Sequence, residues 1–196
     1  MKIALFAAVP EEVGTLADKV NFTGIGKENA TRTMVRFMKK YENEDFVIIN
    51  MGTVGSHDRE VGSILSISEI ISAAAMFNEH RMLLDVLPMQ DAEVQQGILY
   101  SSDCFVSPDV FTADYLDGIK RKVDCFDMES SALYTVAHEF GKKYVSYKIV
   151  SDNLDVTIEI WKQRVVELSK KLVAHIQEVI DKLGQKEPIE FLKLED

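Results

Sequence analysis

The chain has 196 residues, enough for one globular domain with a substantial core. Hydrophobic residues make up 46% and charged residues 28%, the balance of a folded chain and not of a disordered one. The formal net charge is -10 at pH 7 with no basic block, which argues against nucleic-acid binding and against docking on anionic membrane surfaces.

In chain order, residues 2–9 (KIALFAAV) form an apolar, β-rich run that predicts a buried strand. Residues 10–20 (PEEVGTLADKV) predict a helix with Pro10 in its first turn. A glycine-rich entry (TGIGK) then leads into apolar residues at helical spacing up to Tyr41. A second buried strand is expected at 46–52 (FVIINMG), with further strands at 62–68, 97–103 and 144–152. Helices are expected at 109–121, 128–141 and 156–183. The last carries the stripe Ile158, Trp161, Val165, Leu168, Leu172, Ile176 and Ile180, read as core packing. Segment 69–96 fits no single pattern. The domain is taken as 1–184, and 185–196 as an exposed C-terminal tail. Alternating strands and helices imply an α/β fold built on a largely parallel sheet.

Cys104 and Cys125 stand in apolar runs without metal-ligand spacing and read as buried free thiols, which suits a reducing compartment. No leader is evident and no run is long enough to span a bilayer, so a cytoplasmic protein is expected. His57, His80, His138 and His175 are scattered, and none reads as a ligand. The GIGK at 24–27 lacks the third glycine of a dinucleotide fingerprint and is better read as a close-packed turn.

Polar or special residues gather at the carboxyl ends of the expected strands, where α/β proteins bind ligands. Glu11 and Glu12 follow the first strand; Gly52, Thr53 and Gly55 the second; Ser102, Asp103 and Phe105 a later one. Met128 and Glu129 follow VDCF, and Ser151, Asp152 and Asn153 follow YVSYKIV. Each alone could be a cap or turn residue. Together they predict one pocket.

These segments also carry a resemblance. MKIALFAAVPEEV, GIGKENAT, IINMGTVG, SSDCFV and FDMESSALYTVAHEFGKKYVSYKIVSDN occur in the order seen in the nucleoside phosphorylase/nucleosidase superfamily. The chain most resembles methylthioadenosine/S-adenosylhomocysteine nucleosidases and their futalosine-hydrolase relatives. The resemblance implies a twisted mixed sheet flanked by helices, a homodimer, and cleavage of a purine N-glycosidic bond without metal or cofactor. It implies that Glu12 activates the attacking water and that Asp152 protonates or hydrogen-bonds purine N7. Glu129 would grip the ribose hydroxyls and Met128 the sugar face. Phe105 would stack on the base, and the Val106 backbone would read its edge. Thr53, Ser151 and Asn153 would complete the substrate contacts, and Lys148 stands where relatives usually carry an arginine near the ribose.

The phosphorylases of that superfamily usually hold phosphate with arginines in a Gly-Asp-Pro-x-Arg loop and before the second Gly-Thr/Ser motif. Here those positions read AAVPEE and Asn50, so water is the expected nucleophile. Two alternatives stay open: a phosphate-dependent purine nucleoside phosphorylase, and a non-catalytic nucleoside-binding protein.

Overall fold

The computed structural model describes residues 1–72, 81–85, 94–107 and 110–195; the expected start of a helix at 109 and His80 lie outside them. The chain begins with β1 (Lys2–Ala7), followed by two 3-10 turns at Pro10–Glu12 and Gly14–Leu16. Then come β2 (Val20–Phe22), α1 (Lys27–Lys40), β3 (Val47–Ser56), β4 (Ile64–Ser72), β5 (Arg81–Leu83) and β6 (Gln95–Ser101). The rest is α2 (Ala113–Lys120), β7 (Cys125–Asp127), α3 (Ser130–Glu139), β8 (Lys143–Asp152), α4 (Ile158–Gly184) and β9 (Glu190–Phe191).

The strands form one mixed sheet. β3 pairs parallel with β8, β8 antiparallel with β4, β4 parallel with β6, β6 parallel with β7, and β7 antiparallel with β3. These five pairings close a ring, so the sheet curls into a small barrel, with β1, β2 and β9 continuing it as an open flank. The α/β expectation holds, and the sheet closes further than a twisted open one.

Strand alternation sorts the core. Ala4, Phe6 and Ile48 face one side and pack against Met34 and Phe37 of α1 and Leu133 and Val136 of α3. Ile3, Leu5, Ile49 and Val145 face the other and pack against Leu172, Ile176 and Val179 of α4. No helix among the described residues is long and apolar enough to cross a membrane.

Three expectations change. The helix predicted over 10–20 is two 3-10 turns and a strand, because Gly14 sits at φ +45 and stops it while Val20–Phe22 pairs with β1. The second strand does not end at Gly52: pairing with β8 carries β3 through to Gly55, with a register shift between Val54 and Gly55. The tail past Gly184 returns to the domain, where β9 pairs with β1 and Leu192 is buried among Phe6, Phe37 and Ile48.

Candidate active site

All five expected strand ends deliver residues to a single cavity of about 410 Å³, although Glu11, Gly52 and Ser102 do not line it. Glu12 comes from the first 3-10 turn, Thr53 from β3, Met128 and Glu129 from the β7–α3 junction, and Ser151 and Asp152 from the end of β8. Phe105 and Val106 form the wall beyond β6. Asn153 does not line it. The chain turns away after Asp152, and the Asn153 amide donates to the carbonyls of Ser56 and Arg59 at 3.2 Å each.

Glu12 is 5% exposed and fully partnered. Its Oε1 accepts from the Thr53 amide and the Thr53 hydroxyl, both at 2.8 Å, and its Oε2 accepts from the amides of Ala8 and Val9 at 3.2 and 3.4 Å. Gly52 makes room for this carboxylate: a Cβ there would lie 3.0 Å from Oε1.

Asp152, 2% exposed, accepts the Leu154 amide on Oδ1 at 2.9 Å and lies 2.7 Å from Ser151 Oγ through Oδ2. Ser151 Oγ is also 3.1 Å from the Val54 carbonyl. A hydroxyl has one hydrogen, and a carbonyl and a carboxylate both only accept. The single Ser151 hydrogen therefore serves either the Val54 carbonyl or Asp152 Oδ2, the two acceptors within its reach.

Glu129 stands at the N-cap of α3, where its Oε1 accepts from the Gly26 amide at 2.7 Å. Burial first, and then the Asp127 charge, push its carboxyl up to about 8, against the opposing pull of the Gly26 bond and Lys148.

Lys148 lies behind the wall, not on it. Its Nζ is 3.1 Å from Asp127 Oδ2, with both side chains almost fully buried. Burial pulls the ammonium down, but the charges of Asp127, Glu12 and Glu129 outweigh that and hold it above the ordinary lysine value. Asp127 also accepts the amide and the hydroxyl of Ser130, and Asn50 donates to Ser130 Oγ at 3.0 Å and to Tyr144 OH at 2.7 Å. This buried network braces the β7–α3 junction from within the barrel.

Sequence reasoning missed Asp127 and Trp161, both of which line the cavity. An acidic residue closing an apolar strand was the available signal for Asp127. Trp161 and Ile158 were assigned to the core stripe of α4, but its first turn projects past the core and Ile158 is 52% exposed. Cys104, expected buried, is half-buried on the cavity wall; Cys125 is a packed thiol pushed up by burial.

The model of the phosphorylase superfamily matches residues 73–183, more than half of the chain. The chain belongs to the phosphorylase superfamily. Within that family it is 26% identical over 174 residues to a 5'-methylthioadenosine/S-adenosylhomocysteine nucleosidase of Shewanella halifaxensis, covering 75% of this chain and 74% of that protein. It is 31% identical over 108 residues to a DeoD-type purine nucleoside phosphorylase of Pectobacterium atrosepticum, covering 55% of this chain and 44% of the relative. Among solved structures, the 5'-methylthioadenosine/S-adenosylhomocysteine nucleosidase from S. pneumoniae superposes with a TM-score of 0.76 at 18% identity, covering 94% of this chain and 100% of that one. The futalosine hydrolase of Helicobacter pylori superposes with a TM-score of 0.74 at 14% identity, covering 93% and 98%. At those identities the likeness is one of fold, and it matches the phosphorylase-superfamily architecture expected from the motifs.

Proposed function

We propose that this protein is a purine nucleosidase, which hydrolyses the N-glycosidic bond and releases free base and the ribose moiety. The observation that carries the reading is the placement of Glu12, Glu129 and Asp152 around one cavity. Water adds to C1' and gives a proton to Glu12. The C1'–N9 electron pair leaves with the base, which takes a proton at N7 from Asp152. The sugar passes through an oxocarbenium-like state, and anionic groups beside it stabilise the positive charge that develops. Glu129 accepts the ribose hydroxyls, Met128 packs on the sugar, and Phe105 stacks on the base, with Val106 presenting its backbone to the base edge.

Water is favoured over phosphate by charge. Glu12, Asp103, Asp127, Glu129 and Asp152 line the cavity, and among the described residues its wall carries no Lys, Arg or His. Lys148 and Lys27, the neighbouring cations, are paired with Asp127 and Asp103 at 3.1 and 3.0 Å. A phosphate dianion entering here would face Glu12 and find no free cationic partner on the wall. The named relatives point to 5'-thio-substituted adenosines and futalosine as the substrates to try first. The same reading includes a cytoplasmic homodimer.

The test is a base-release assay over a purine nucleoside panel, with and without phosphate. Free ribose product formed without phosphate supports the hydrolase. Ribose 1-phosphate formed only with phosphate establishes the phosphorylase instead, and tight binding without turnover establishes a nucleoside-binding protein.

A further inference from the structure

Trp161, the single tryptophan of the chain, lines the cavity from the first turn of α4. Its Nε1 donates to Thr53 Oγ1 at 3.1 Å, and Thr53 Oγ1 donates to Glu12 Oε1 at 2.8 Å. The direction of this row is forced, because an indole N–H only donates and a hydroxyl has a single hydrogen. With the indole occupying a lone pair of Thr53 Oγ1, the hydroxyl hydrogen is turned toward Glu12. The Thr53 amide donates to the same carboxylate oxygen at 2.8 Å. Oε1 therefore carries two short bonds, whereas the amides of Ala8 and Val9 reach Oε2 at 3.2 and 3.4 Å. The less committed oxygen is Oε2, and proton transfer from water to it leaves both short bonds intact.

We propose that Trp161 is a positioning residue for Glu12. Through Thr53 it fixes the hydroxyl direction that holds Oε1 and reserves Oε2 as the proton acceptor. The role rests on the hydrolase reading above. It is distinct from the role of the ring as cavity wall, because Trp161→Phe keeps an aromatic wall and removes only the donor.

The experiment measures base release from the best nucleoside of the panel across pH for wild type, Trp161→Phe, Thr53→Val and the double variant, each checked for folding by circular dichroism. A net hydrogen bond of ordinary strength predicts that kcat falls about five- to tenfold in Trp161→Phe while KM stays within about twofold. Adding Trp161→Phe to Thr53→Val costs no further activity, since both break one row. A raised KM with unchanged kcat, or additive losses in the double variant, overturns the proposal. A second arm needs no turnover. The lone indole N–H gives one resonance in a 15N–1H spectrum, expected to shift in Thr53→Val and, through the same row, in Glu12→Gln. A resonance indifferent to both substitutions sinks the relay even if the protein is a hydrolase. Absence of base release from every nucleoside sinks the hydrolase reading instead, while the resonance still decides the relay.

Discussion

The Gly26 amide donates to Glu129 Oε1 at 2.7 Å, joining segments 103 residues apart. Gly26 sits at φ +91 immediately before α1, a conformation that costs glycine little and other residues much. The glycine-rich entry to α1, which on its motif alone was only a weak dinucleotide match, thus serves to hold the carboxylate proposed to grip the sugar. The same contact orients Glu129 into the cavity although the residue is a helix N-cap by position.

Glu129 gives the protein a definite pH signature. Its folded-state value of about 8 lies above the ordinary glutamate value of 4.5, so between those values the folded chain binds more protons than the unfolded one. Its contribution to stability therefore falls as pH rises through that window. In Glu129→Gln this component disappears, and the melting temperature should decline less than that of wild type between about pH 5 and about pH 8. Thermal melts across that range check the sign. An identical pH dependence in the two proteins would show that Glu129 titrates normally.

Lys148 and Asp127 form a buried pair whose value is exposed by breaking it. Lys148→Met leaves Asp127 in the barrel interior without its cation, and loss of one member of such a pair costs about 3–5 kcal/mol. Denaturant unfolding should show a loss of that size. Lys148→Arg retains charge but must fit a larger planar head into a site where Lys148 is 3% exposed, and should be intermediate. A loss below about 1 kcal/mol in Lys148→Met would mean that water reaches the pair.

What the sequence revealed and what it concealed follow from the range of the forces involved. Glu12, Met128, Glu129 and Asp152 were legible because each stands where an apolar run meets a polar residue. The parallel strands β1, β3 and β8 send Glu12 and Asp152 to one edge, and the antiparallel pairing of β7 with β3 brings Met128 and Glu129 to it. The strands β2 and β9 were not, because runs of three and two residues carry no period of their own and exist through pairing with β1. Trp161 was hidden by its own helix. The stripe that buries Val165, Leu172 and Ile176 extends in register to Trp161 and Ile158, but the core ends first and leaves that turn to the cavity. For Asp127 the local signal was only an acidic residue closing an apolar strand, since the partner that reveals its role, Lys148, lies on β8.

Gly55 should tolerate no side chain. A Cβ there would lie 2.6 Å from Leu154 Cδ2 and 3.0 Å from Asp152 Oδ1. Leu154 has little freedom to yield: it is buried and held at φ +66, unusual for a non-glycine residue, with its amide bonded to Asp152. Gly55→Ala is expected to cost about 1–3 kcal/mol through overpacking and to reduce base release about a hundredfold through displacement of Asp152. Gly118→Ala is the contrasting substitution, in α2 with open space around the new methyl, and should stabilise by about 0.5–1 kcal/mol. Paired denaturation and base-release measurements distinguish the two, and unaltered turnover in Gly55→Ala would contradict the role assigned to Asp152.

Asp152→Asn is the substitution that separates chemistry from folding. An amide can place its oxygen toward the Leu154 amide and its nitrogen toward Ser151 Oγ, reproducing the row that ends on the Val54 carbonyl. Packing and hydrogen bonding are conserved, so the unfolding midpoint should change little. The lost property is a carboxyl proton that can move to the leaving base, and removal of a general acid typically costs two to four orders of magnitude. Base release should therefore fall by about a hundredfold to ten-thousandfold, while nucleoside binding, measured by calorimetry, persists. Wild-type turnover in a folded Asp152→Asn protein would remove the proton donor from the mechanism. A matched loss of stability and activity would return Asp152 to a turn residue that ties β8 to Leu154.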